Sequence, residues 1–529
     1  MEEKRMENQG KGGSSVVSTY QDVPYGIISD EIEPGVKDEY FQEVHEIMGL
    51  YDKYKLGQEF TTEGSSGDYV PSQLRYKKAA SILNKEARFL FSQPPDFSVN
   101  PDDVSKEESD SNTIIQDFLN KVLKRSNFSD GLLKSCKDCF IGKRIAIVVN
   151  FNEGAGIKVS FFNSLSFLYE TDVEEVNKLT KFVIFYNSVD TSNRKEQRYF
   201  KKTYWLNENG KCVFKEEIYD GLGTLIEVLT EETVTKLDFI PAVVVRNDGL
   251  TGELKGNSEL GYLIDYEEYY SKLANADMDA ERKIMNPVRY IIDGAESSFN
   301  GLSSAPGSLW DIQSDDTKEE MSKAEVGLLE ANMTYAAALK MTLDRLENTM
   351  YSEVDVPNIN SEQLQGVITS GKTIGALYWG LSVRCDEKML TWAPALEFIA
   401  KVIIEGGKLY PEIAKKYVAE RIPDIEYEIT VENNYALPED EQEEKTMDVT
   451  EVTAQTMSRK AYIKKWRGLS DKEADLELEQ IMKEKTMFEN YGYSYPPLER
   501  SEEEGEYDSK DSSENNPNAS EIDQSDLDE

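Results

Sequence analysis

Two long helical patterns with a short β insert between them constrain this chain more than any other feature of its sequence. From Ser258, the run SELGYLIDYEEYYSKLANADMDAERKIM places Leu260, Leu263, Tyr266, Tyr270, Leu273, Ala280 and Ile284 on one helical stripe. Asn286-Pro287 ends it, because a residue before proline avoids the α region. PVRYIID then reads as a strand that turns at Gly294 into the Ser/Gly-rich SSFNGLSSAPGS. A second helix is predicted from about Ala331 to Glu353, where Ala336, Leu339, Leu343, Leu346 and Met350 repeat at threes and fours. Stripes of this kind must be buried, either on each other within one chain or on a neighbouring copy, and the spacing admits both.

The segments on either side read as α+β. After a polar, glycine-rich arm, structure begins near Glu39, and SQLRYKKAASILNKEARFLFSQ forms an amphipathic helix stopped by Pro94-Pro95. NTIIQDFLNKVLKR and SDGLLKSCKDCF continue the helical pattern. RIAIVVNF switches to strand, and GIKVSFF, KFVIFYN, RYFKKTYWL, KCVFKEEIY and DFIPAVVVRND follow, with Pro241 expected at an edge or bulge. Helices first and a largely antiparallel sheet second make an α+β domain. Beyond the second long helix comes the polar stretch VDVPNINSEQLQ, then a very long helical region from about Gly371 to Lys408 that Pro394 is expected to kink or split. DIEYEITVEN reads as a strand that rejoins the earlier sheet. After Pro438 three helices are predicted, with Gly468 ending the second and a Ser470/Glu473 capping box opening the third. The acidic tail from Ser501 is predicted to be disordered.

Composition narrows the function. The 529 residues carry 59 Lys and Arg against 100 Asp and Glu, a formal charge of −41, which argues against a broad nucleic-acid-gripping surface and suits a wall along which DNA passes without sticking. No apolar run reaches signal-peptide or membrane-span character. Four cysteines (Cys136, Cys139, Cys212 and Cys385) are too few and scattered for a disulfide framework, and one histidine, His45, leaves no Cys/His zinc quartet and little for a triad. No cofactor, metal or catalytic residue is expected, so the chain reads as a non-enzyme.

One motif argues otherwise. Residues 366 to 373, GVITSGKT, satisfy the phosphate-loop pattern with Gly366, Gly371, Lys372 and Thr373. A working phosphate loop follows a buried apolar strand, but EVDVPNINSEQLQ, with a proline and several amides and acids, stands there instead. Only the helix that leaves such a loop can be drawn, so the glycines need another explanation.

The order of parts resembles the portal proteins of tailed double-stranded DNA phages, of the long-tailed, Gram-positive-host type. The resemblance spans roughly Phe41 to Glu484 and lies in FIPAVVVRNDGLTGELKGNSELGYLIDYEEYYSKLANADMDAERKIMNPVRYIIDG, in AAALKMTLDRLENTMYSEVDVPNINSEQLQGVITSGKTIGALYWGL and in SRKAYIKKWRGLSDKEADLELEQIMKE. It implies a disordered arm (1–38), an α/β wing (39–257), a stem helix (258–285), a small β clip (286–330), a second stem helix (331–353), a tunnel loop (354–370), a kinked helix returning to the wing (371–435), a helical crown (436–490) and an acidic tail (491–529). It further implies a ring, usually of twelve subunits, at one capsid vertex of the virion, assembled in the host cytoplasm, through which DNA enters and leaves. Partners would be the DNA, the terminase large subunit, a head-completion or adaptor protein, the major capsid protein and scaffold, with no membrane. On this reading Asn358, Asn360, Gln363 and Gln365 are candidate channel-lining residues, with a solvated loop as the alternative. Val288, Arg289, Tyr290 and Ile292 are candidates for partner contact, and Leu263, Tyr270, Leu273, Leu339, Leu343, Leu346 and Met350 for stem or subunit packing. A nucleotide-binding ATPase and an acidic capsid adaptor without a channel are the competing classes.

Overall fold

In a computed structural model, residues 27–28, 31–57, 71–101, 106–175, 177–188, 198–250, 253–285, 288–295, 310, 312–314, 317, 323–329, 334–359, 371–435, 441–469 and 471–490 are described. The chain divides into two units, residues 1–438 and 439–529. The expected N-terminal arm and acidic tail lie almost wholly outside the described residues.

The first unit is organised by the most apolar strand. Helices α1 (Lys37–Leu56) and α2 (Lys78–Phe91) are followed by β1 (Asp96–Pro101), α3 (Lys106–Arg125) and α4 (Phe128–Gly142). Strand β2 (Arg144–Asn152) then runs between β3 (Gly156–Asn163) and, later in the chain, β9 (Ala242–Arg246), all antiparallel. Its β-branched run is buried on both faces, and the period of two sorts the side chains. Ile145, Ile147 and Val149 join the large core built with the helices, whereas Ala146 and Val148 join a second core with Phe167, Phe182 and Ile184. That second core belongs to a five-stranded meander of β4 (Phe167–Thr171), β5 (Leu179–Ser188), β6 (Arg198–Leu206), β7 (Cys212–Tyr219) and β8 (Leu225–Val234). Helices, a three-stranded sheet and a five-stranded sheet thus form three layers. Pro241 precedes edge strand β9, as its missing donor requires.

From this body α5 (Glu259–Met285) leads to β10 (Val288–Ile292), and β11 (Glu325–Leu329) leads to α6 (Ala336–Glu353). The 39-residue helix α7 (Gly371–Leu409) follows, then the short α8 (Pro411–Ala414) and β12 (Tyr427–Glu432). Pro394 lies inside α7 without dividing it, because Trp392, Leu396, Ile399, Ala400 and Ile403 are buried around it and their burial outweighs one lost backbone bond, about 3 kcal/mol. One expectation needs correction. Strand β12 does not rejoin the earlier sheet. It pairs antiparallel with β1, a strand hidden behind Pro94-Pro95, in register from Asp96 opposite Glu432 to Pro101 opposite Tyr427.

The second unit has helices α9 (Glu441–Ala454), α10 (Arg459–Arg467) and α11 (Asp471–Asn490). Ser458 Oγ accepts from the Ala461 N–H at 3.1 Å and caps α10. Gly468, at φ 63°, ends it with its N–H on the Lys464 carbonyl. Ser470, half of the expected capping box, lies outside the described residues. Trp466 Nε1 donates to Asp448 at 2.8 Å, and Lys465 pairs with the same carboxylate at 2.9 Å, tying α10 to α9.

Candidate functional site: the long helices and their hairpin

Ser258 starts α5: its Oγ accepts from the Gly261 N–H at 3.2 Å and donates to the Phe140 carbonyl, so the helix is fixed to α4 at its first turn. The two stripe helices pack on each other. Tyr266, near the start of α5, donates to Glu353 at the end of α6, while Tyr335, just before α6, lies beside Asp277 near the far end of α5. They are therefore antiparallel.

The stripe residues divide by depth. Leu263 and Met350 are fully buried in the main core, together with Leu260, and so serve packing within the chain. Tyr270, Leu273, Leu339, Leu343 and Leu346 are half-buried. The Tyr270 ring meets Tyr76 edge-on at 5.3 Å and carries the Lys78 ammonium 4.6 Å from its centre. Lys78 also pairs with Glu347 of α6 at 2.6 Å, so the N-terminus of α2 holds both stripe helices. The segment before it is pinned as well: the Leu74 N–H donates to Asn275 Oδ1 at 2.7 Å, and Asn275 Nδ2 donates back to the Leu74 carbonyl. Buried Glu267 of α5 faces the N–H groups of Lys78 and Ala79. Burial pushes its carboxyl up to about 7, against the pull of those two donors.

Between the stripe helices, β10 and β11 pair antiparallel from Val288 opposite Leu329 to Ile292 opposite Glu325. Tyr290 sits across from Gly327, and Tyr290, Ile292 and Val326 are exposed. Val288 and Arg289 hold the first two register positions, but their side chains lie outside the description. Of the four candidate channel residues, Asn358 is the one described: its Nδ2 donates to Asn348 Oδ1 of α6 at 2.9 Å, folding the start of that stretch back on the helix. Val354 and Val356 are buried beside it. Asn360, Gln363 and Gln365 lie outside the described residues, as do Gly366, Thr369 and Ser370. The nearest described chain before them, 351–359, is a helix end and irregular backbone.

Pattern reading overlooked a buried group of four charges. Glu86 of α2 and Glu259 in the first turn of α5 are fully buried, and both pair with α7. Arg384 Nε lies 2.9 Å from Glu86 Oε1 and its Nη2 3.4 Å from Glu259 Oε1. Lys388, one turn on, pairs with Glu259, lies 3.6 Å from Glu86 and donates to Asn247 Oδ1 at 3.2 Å. The signal was present: Glu86 interrupts the stripe of Ile82, Leu83, Ala87 and Leu90, and Arg384 and Lys388 lie beside buried Leu381, Cys385 and Met389. A second ion pair, Arg144 to Glu43 at 2.7 Å, joins β2 to α1.

Residues 36–490 match the family described as phage portal protein, SPP1 Gp6-like. The chain belongs to that family. No curated protein matches it. The portal family match runs through residues 366–373, so the glycines and Lys372 belong to portal sequence, and the nucleotide-binding alternative has no support. This phage portal protein is a structural component of the virion. None of its helices, among the described residues, is long and apolar enough to cross a membrane, and those residues hold no cluster of His, Cys, Asp and Glu suited to a metal ion.

Proposed function

We propose that this portal protein forms a closed ring, usually of twelve subunits, at one capsid vertex, and that double-stranded DNA passes through its centre during packaging and ejection. The family match over residues 36–490 carries the reading. The chain order of α5, hairpin, α6 and α7 agrees with the stem, clip, stem and long-helix succession that the resemblance implies. Residues 39–257 then act as wing, 286–330 as clip, 354–370 as tunnel loop and 436–490 as crown. The clip meets the terminase large subunit and afterwards the head-completion protein, and the wing meets the capsid protein and scaffold. A formal charge of −41 per chain, repeated around a ring, favours DNA that slides rather than adheres. The local wording favours a long-tailed phage of a Gram-positive host, with assembly in the host cytoplasm and no catalysis by this chain.

The half-buried stripe residues Leu273, Leu339, Leu343 and Leu346 are the surface on which neighbouring stem helices meet, since a ring needs heterologous contacts that repeat from copy to copy. Heads assembled with and without this chain test the proposal. With it, tagged protein is expected at a single vertex and the heads fill with DNA. Heads that fill equally well without it would refute the conduit.

A further inference from the structure

The charged group beneath α7 is built in a way that packing alone does not require. Beyond Pro394, Gly406 and Gly407 seat α7 closely against Phe151 and Phe118, but before it apolar burial is non-directional, and the contacts of Leu381, Cys385, Met389 and Trp392 with the core do not by themselves fix how far that half of the helix lies along its own axis. The charges do. Arg384 and Lys388 are one turn apart, and each reaches both Glu86 and Glu259 through the Oε1 atoms. One turn further in either direction stand Gly380 and Trp392, neither of which carries a charge. Sliding α7 by one turn, about 5.4 Å, therefore leaves a buried carboxylate opposite a residue that cannot neutralise it. Such a state is strongly disfavoured, because an unpaired buried charge keeps its full desolvation cost. The glutamates have little tolerance to spare, since Oε2 of each is already buried without a hydrogen-bond partner.

We infer that Glu86, Glu259, Arg384 and Lys388 form a register lock, a set of positioning residues that fixes α7 axially against α2 and the first turn of α5. The lock joins two elements that lead to different parts of the chain: helix α7 follows the 354–370 stretch, while α5 runs to the β10–β11 hairpin. With the lock engaged, the first half of α7 and the base of α5 are held as one body. Taking those two parts as tunnel loop and clip rests on the portal reading above, but the lock does not, and the two are tested separately.

The test uses the full-length chain with spin labels at Tyr269→Cys on α5 and Leu390→Cys on α7, both exposed, diluted with unlabelled protein so that only distances within a chain are read. The four native cysteines are buried and leave the labels specific. With the native lock a single distance is expected. Replacing all four charges with apolar residues (Glu86→Leu, Glu259→Leu, Arg384→Met, Lys388→Met) should leave the melting temperature unchanged or raised, since well-packed apolar groups substitute for a buried ion cluster. The distance distribution should then broaden or gain a second maximum displaced by about 5 Å, one helical turn. Arg384→Lys, which keeps the charge, should retain the single distance. A folded apolar variant with the native single distance would overturn the lock. Should that variant fail to fold, Glu259→Gln is measured instead: broadening supports the lock and an unchanged distribution overturns it. Ring formation by the same variants is scored independently, so failure of the lock and failure of the portal reading are told apart.

Discussion

The ring of Tyr290 lies against the bare Cα of Gly327 across the β10–β11 pair, so closely that a Cβ on Gly327 would stand 2.3 Å from it. An aromatic side chain covering a cross-strand glycine pins the register of a hairpin that has only two strands, and a two-stranded hairpin has little other support.

Gly327→Ala should therefore push the exposed Tyr290 ring off the opposite strand and destabilise this hairpin by up to about 1 kcal/mol, the worth of a cross-strand pair. Hydrogen exchange at residues 288–292 and 325–329 should rise while the strands of the wing sheets stay protected. Tyr290→Ala removes the same cover and should raise exchange comparably, and the double variant should add little to either single one. Exchange as slow as in the unaltered protein for all variants would show that the pair does not set the register.

A second prediction concerns the buried pair of Arg144 and Glu43. Burial works to raise the Glu43 carboxyl, but the Arg144 hydrogen bond and the charges of Arg144, Lys255 and Lys143 outweigh it and hold it below its ordinary value of 4.5. A carboxylate lowered by folding stabilises fully above its unfolded value and loses that contribution as pH falls through the lower folded value. Arg144→Met should cost up to about 3 kcal/mol near neutral pH, because it removes the closest cation from buried Glu43 and leaves it with Lys255, 3.7 Å away. Chemical denaturation at pH 7 and at pH 3 checks this, and the penalty should shrink at the lower pH.

Glu267 has the opposite sign. Its carboxyl is pushed up to about 7, so its contribution is fully present below the unfolded value of 4.5 and fades as pH rises through 7. Glu267→Gln keeps an acceptor for the Lys78 and Ala79 N–H groups without the charge. It should raise stability at pH 8 by about 2–3 kcal/mol and change it little at pH 4. Thermal melts of both proteins at the two pH values decide the matter; a gain at pH 4 as large as at pH 8 would contradict it.

Much of this architecture was legible in the sequence because it is periodic. The stripes on 258–285 and 331–353 gave the two helices, the β-branched RIAIVVNF gave the central strand, and Gly468 marked a helix end. What escaped depends on distant partners. Strand β1 is six residues behind two prolines, and its pairing with β12 joins Asn100 to Thr430, 330 residues apart, which no local pattern encodes. Strand β8 was passed over because LIEVLTEETV alternates acids through an edge strand exposed almost throughout. The four-residue charge group was missed for a related reason: Arg384 and Lys388 read singly as the solvated side of a helix, and only the fold brings Glu86 and Glu259 beneath them.

The central claim is that copies of this chain enclose a channel. The most direct measurement is electron microscopy of the full-length protein assembled together with its capsid and scaffold proteins, with end-on views sorted by rotational symmetry. A closed ring of about twelve subunits with an opening wide enough for duplex DNA is expected. Particles with the chain bound to heads but without rotational symmetry or a central opening would contradict it.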